Sequence, residues 1–166
     1  MKLNPIMLTV ILILVMIVVL FLFLFNSTEI DIDEMNANIQ ADIKLNMSED
    51  RVISLLGPGE YIEGFGGHGR KYTDEGYFIG ISGDSDDDMY GNVSSIEIRN
   101  TKSSVFGIKI GDNINSSIEK LNEYSFKKIE SNIFMNGEFG ISLIGNTTIE
   151  YIQVWFQDKD LKDRVY

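Results

Sequence analysis

The sequence predicts an α+β fold. An N-terminal transmembrane helix is followed by two tandem helix-plus-antiparallel-strands units, which form one sheet with two helices on one face. Three observations carry this expectation. Residues 6–25 are an unbroken apolar block, the chain beyond residue 40 repeats itself, and each repeat passes from helical to strand periodicity.

The apolar block reads IMLTVILILVMIVVLFLFLF from Ile6 to Phe25, with Thr9 its one weakly polar side chain and no charge. At about 1.5 Å rise per residue it reaches roughly 30 Å, the thickness of a bilayer core. A buried core helix is seldom apolar for so long. A cleaved signal peptide has a shorter apolar region ending in small residues, where this chain has Phe23, Leu24 and Phe25. An uncleaved anchor is therefore expected. Lys2 precedes it, and Glu29, Asp31, Asp33 and Glu34 follow. The charge bias makes residues 1–5 a cytoplasmic stub and places the bulk of the chain outside a cell membrane crossed once. Residues 26–40, polar and acidic with Met35 and a few isoleucines, read as a linker or stalk.

The remainder divides into residues 41–105 and 106–166. Ala41–Gly57 aligns with Phe106–Asn122 without a gap at an offset of 65, matching Ile43 with Ile108, Ile53 with Ile118 and Leu56 with Leu121. Further on, Gly76–Ser82 meets Gly137–Ser142 with one residue missing, and Val93–Ile98 meets Ile149–Val154. In the first unit Ser48 is a good helix N-cap, Glu49 and Asp50 suit the helix dipole, and Gly57-Pro58 ends the helix. In the second, Asp112 or Asn113 caps a helix whose stripe is Ile114, Ile118 and Leu121. Both helices are short and need a sheet to pack on. Strands are expected near 61–65, 69–73, 77–82 and 92–99, then 126–130, 132–135, 138–144 and 148–156.

Alternation sorts the faces of these strands. Ile152, Val154 and Phe156 point one way, and Tyr151, Gln153 and Trp155 the other. Ile96 and Ile98 oppose Glu97 and Arg99 in the same manner. Ile79 and Ile81 match Phe139 and Ile141 as core, leaving Phe78, Gly80, Ser82, Gly140 and Ser142 on the open side. The candidate partner-binding residues are thus Phe78, Glu97, Arg99, Tyr151, Gln153 and Trp155. Aromatics around a floor of small residues suit protein recognition. The alternative is that the linker, the tail or a small second core covers this face.

The lead-in Gly107–Asp112, the Ser48–Gly57 helix with its terminal Gly-Pro, and the paired strand blocks resemble the beta-lactamase-inhibitor-protein fold. They are also similar to the small lipoprotein of the outer-membrane barrel-assembly machinery. The resemblance is architectural and covers roughly 41–156. It implies a two-layer α+β domain that binds other proteins on its open sheet face. The chain departs from these families in having no disulfide pair and no lipidation cysteine. No family contact residue carries over, and beta-lactamase inhibition is not implied.

Composition narrows the chemistry. A net charge of −11 argues against nucleic-acid binding. Absent cysteines and a single histidine, His68, exclude a cysteine nucleophile, a cysteine zinc site and a multi-histidine metal centre. Asp84, Asp86 and Asp88 alternate in an acidic run and are the candidate metal ligands. However, an EF-hand counted from Asp84 would need glycine and glutamate where Met89 and Ser95 stand. The glycine-rich Gly64–Tyr72 segment lacks the Gly-Lys-Ser/Thr of a phosphate loop and is followed by strand-like residues. His68, among glycines, is expected to be exposed, and a pH-sensing role for it has no partner visible in the sequence. No cofactor and no enzymatic activity are expected. The expected function is a membrane-anchored extracytoplasmic protein-binding module of inhibitor, immunity or envelope-assembly type, its partner an unknown protein near the membrane. The alternative is a ligand- or calcium-sensing domain using the Asp84–Asp88 loop.

Overall fold

The computed structural model describes residues 13–17, 29–64 and 66–157. It corrects the expected class. The described chain is mostly sheet with few helices, and none of these helices is long and apolar enough to cross a membrane. Of the expected span 6–25 only residues 13–17 are described. Those five residues are helical. The rest of that span, the stub 1–5 and the tail 158–166 lie outside the described residues. The described residues therefore provide no spanning helix on which a cell-membrane location, a single pass or an extracytoplasmic domain could rest.

The segment expected to be a stalk belongs, where described, to the folded domain. It contains α1 (Ile32–Ala37), capped by Asp31, whose side chain accepts from the Glu34 amide at 2.8 Å. Ile30, Met35 and Ile39 are buried in the core. Strand β1 (Ile39–Gln40) pairs antiparallel with β6 (Ser104–Val105), in the connection between the two units. The buried Asn136 fastens this segment from the other end of the sequence. Its side-chain oxygen accepts from the Ile30 amide (3.2 Å), and its side-chain nitrogen donates to the Tyr124 carbonyl (3.0 Å).

The first unit runs through α2 (Glu49–Leu56), β2 (Glu60–Gly64), β3 (Gly67–Tyr72), β4 (Tyr77–Ser82) and β5 (Val93–Ile98). The second runs through α3 (Ile114–Glu123), β7 (Lys127–Glu130), β8 (Ile133–Asn136), β9 (Phe139–Gly145) and β10 (Ile149–Phe156). The eight strands make one sheet in the order β2-β3-β4-β5-β10-β9-β8-β7, with every neighbouring pair antiparallel. The last strand of each unit therefore meets the other at the centre, with Ile96 opposite Val154 and Ile98 opposite Ile152.

Both units lead into their helix in one way. Asn46 and Gly111, 65 positions apart, take φ of +63° and +91°, a region in which asparagine and glycine are the least strained residues. The Asn46 amide donates to the Val93 carbonyl and the Gly111 amide to the Ile149 carbonyl, both at 2.8 Å. In return the Val93 and Ile149 amides donate to Met47 and Asp112. Ser48 and Asn113 then cap α2 and α3 through their side chains. Each helix is so stitched to the first residue of its unit's last strand. Val52, Ile114 and Leu121 join Ile79, Ile81, Ile96, Ile98, Ile141, Leu143, Ile152 and Val154 in a single apolar core. By strand alternation this core occupies one side of the sheet.

Candidate functional site

None of the members of that core belongs to the other side of the sheet. Register sets the layout of this open face. One row across it runs Glu60, Lys71, Phe78, Glu97, Gln153, Ser142 and Ile133. The next runs Gly69, Gly80, Ser95, Trp155, Gly140 and Met135. Tyr151, opposite Ile144, and Arg99, one residue beyond β5, extend the face on the far side of the first row.

The six residues proposed from sequence thus lie on one face, and four of them interact in pairs. The Arg99 guanidinium sits 4.1 Å from the centre of the Tyr151 ring, and its Nε donates to Glu97 Oε1 at 2.5 Å. The hydrogen bond to Glu97, aided by the nearby carboxylate charge, raises the Arg99 pKa further above its ordinary value despite some desolvation. Glu97 and Gln153 are direct cross-strand neighbours. The two remaining aromatics cover glycines instead. A Cβ added to Gly140 would fall 2.1 Å from the Trp155 indole, and one added to Gly69 would fall 2.5 Å from the Phe78 ring. A side chain at either position would have to displace the ring that lies there. Gly140 and Ser142 are themselves buried although the helices lie on the other side. The aromatics rest half-buried on a floor of small residues.

The acidic loop has another role. Asp87 closes it: Oδ2 accepts from the Ser82 hydroxyl (2.5 Å) and Oδ1 from the Met89 amide (2.8 Å). Asp84 Oδ1 accepts from the Asp86 amide at 3.0 Å, and Asp88 is exposed. Among the described residues no group of three or more histidine, aspartate or glutamate side chains is placed to hold a metal ion.

No family model, no curated protein and no solved structure matches this chain.

A second cluster was not apparent in the sequence. On the helix side of the sheet, Glu49 at the start of α2 accepts from Arg70 Nε at 2.5 Å and contacts His68 Nε2 at 2.6 Å. Arg70 also donates to the Pro58 carbonyl. Tyr61 stacks on His68, ring centres 4.9 Å apart. Burial pushes the Glu49 carboxyl up, but the hydrogen bonds and charges of His68 and Arg70 outweigh burial and hold it below its ordinary value. His68 is therefore half-buried and paired, contrary to the expectation from its glycine neighbours. Alternation along Gly67–Tyr72 puts His68, Arg70 and the buried Tyr72 on one side. That was the available signal. What they would meet there depended on the position of α2, about 20 residues earlier in the chain.

Proposed function

We propose that the chain is a protein-binding module whose recognition surface is the open face of its sheet. One observation carries this: Phe78, Tyr151 and Trp155, with Arg99, lie half-buried to exposed over glycines and serines on a face that contributes nothing to the apolar core. Rigid aromatics and an arginine are the side chains that contribute most per residue to association, and they do so at little entropic cost when already held in place. The Glu97–Arg99–Tyr151 stack and the two ring-over-glycine contacts supply that fixing. The likeness to the beta-lactamase-inhibitor-protein fold belongs to this proposal on architecture alone, as does an inhibitor, immunity or assembly role.

Photo-crosslinking from position 153 in the full chain tests the proposal, with position 109 before α3 as control. The expected result is a discrete adduct from 153, absent from 109 and lost when Trp155→Ala is added. No adduct from 153, or equal adducts from both positions, would remove the open face as the recognition surface.

A further inference from the structure

One part of the open face is a groove of about 330 Å³ over the first unit, outside the stack formed by Arg99 and Tyr151. Gly67, Gly69 and Gly80 line it from β3 and β4, with the Phe78 ring lying over Gly69 and the Ser95 hydroxyl over Gly80. Ile62 and Phe78 contribute apolar walls, and Asp87 of the acidic loop contributes a carboxylate. We infer that this groove receives an arginine or lysine side chain presented by the protein partner, with the aliphatic stem against Ile62 and the Phe78 ring and the cationic head at Asp87. The inference rests on the open face being the recognition surface and names what one part of it recognises.

The chemistry decides among occupants. Asp87 is held by the Ser82 hydroxyl and the Met89 amide, so its carboxylate is fixed before anything binds. Among the described residues no lysine, arginine or histidine pairs with it. A wholly apolar occupant would desolvate that carboxylate without compensation, which disfavours it. A guanidinium or ammonium compensates it, and the face of Phe78 adds attraction for a cation within about 6 Å. An anion is disfavoured because the nearby basic side chains are engaged elsewhere. His68, which also lines the groove, and Arg70 both meet Glu49 on the opposite side of the sheet, and Lys71, one row away, lies 3.9 Å from Glu60. A bare calcium ion would find the carboxylates of Glu63 and Asp87 in the lining, against the six to eight oxygens it takes.

The test is titration of the full chain with N-acetyl-arginine amide, followed by the backbone amide signals of Gly67, Gly69 and Gly80. N-acetyl-leucine amide and N-acetyl-glutamate amide serve as comparisons. Saturable shifts of these signals at millimolar arginine derivative are expected, with much smaller ones for the other two. Asp87→Asn, which retains the shape and the hydrogen-bonding capacity toward Ser82 and Met89, is expected to weaken binding about tenfold. Phe78→Leu keeps an apolar wall, removes the ring face and is expected to weaken it about threefold. It decides the matter should Asp87→Asn fail to fold. Equal response to the leucine derivative, preference for the glutamate derivative, absence of saturable shifts, or indifference to both substitutions each overturns the inference. Crosslinking from position 153 is independent of the probe. An adduct there with no arginine response removes the groove assignment alone, whereas loss of that adduct removes the recognition surface itself.

Discussion

Gly140 is where the open face is most easily perturbed, and Trp155 is the only tryptophan in the chain to report it. A methyl at position 140 would lie 2.1 Å from the indole, so in Gly140→Ala the ring must lift off the sheet. A tryptophan buries about 150–250 Å², and the side facing Gly140 is about a third of that. Lifting it uncovers roughly 60 Å², about 1.5 kcal/mol at ~25 cal/mol per Å². Alanine returns about 0.4–1 kcal/mol by restricting the unfolded chain, since Gly140 does not need a left-handed conformation. The net expectation is a destabilisation of about 0.5–1 kcal/mol, or a fall in Tm of about 1–4 °C. It is accompanied by a red shift of the native emission and greater quenching by acrylamide. Gly69→Ala displaces Phe78 and is the control: stability falls while tryptophan emission holds. Unchanged emission and quenching in Gly140→Ala, with Tm equal or raised, would refute the ring-over-glycine account.

Three further outcomes are expected. Ile96→Ala, at the centre of the sheet and fully buried, should cost about 2–5 kcal/mol in urea unfolding. Asn136→Ala leaves the buried Ile30 amide and the Tyr124 carbonyl without their partner. It should cost about 1–3 kcal/mol and raise hydrogen exchange at Ile30 well above that at Ile96. Glu49 has a folded-state pKa below its unfolded value. Its charge therefore contributes stability above the unfolded pKa, lost as pH falls through the folded one. Glu49→Gln should lower stability near neutrality by about 1–2 kcal/mol and flatten the acid limb of the stability-pH curve, while a parallel shift at all pH values would contradict that role.

Alternation in the central strands made the open face legible in the sequence. Ile96 and Ile98, then Ile152 and Val154, separate one side from Glu97, Tyr151, Gln153 and Trp155, because a strand buried on one face has period 2. Register was not readable from either strand alone, so the Arg99–Tyr151 stack and the passage from Phe78 through Glu97 to Gln153 emerged only with the pairing. The aromatic rings were readable as surface, but their seating on Gly69 and Gly140 was not, since it depends on which strand lies alongside. The segment before residue 41 was misjudged because acidic side chains dominate it. Ile32, Met35 and Ile39 nevertheless follow helical spacing behind the Asp31 cap, a pattern short enough to be hidden by composition. The expected span 6–25 lies mostly outside the described residues, and among those no helix is long and apolar enough to cross a membrane.

The two units share a scaffold but not its decoration. At an offset of 56 the stitched strands match residue for residue, Val93 to Ile149 and Ile96 to Ile152. On the open face the same offset sets Ser95 against Tyr151, Glu97 against Gln153 and Arg99 against Trp155. Hydroxyl meets phenol, anion meets amide and cation meets indole. The approximate two-fold axis through the β5–β10 seam is therefore broken at these three positions. A partner placed on this surface and then turned by half a revolution would meet a different set of groups. The face has a head and a tail, so under the proposed function it favours one orientation, one partner per chain, and a partner without two-fold symmetry of its own at the contact.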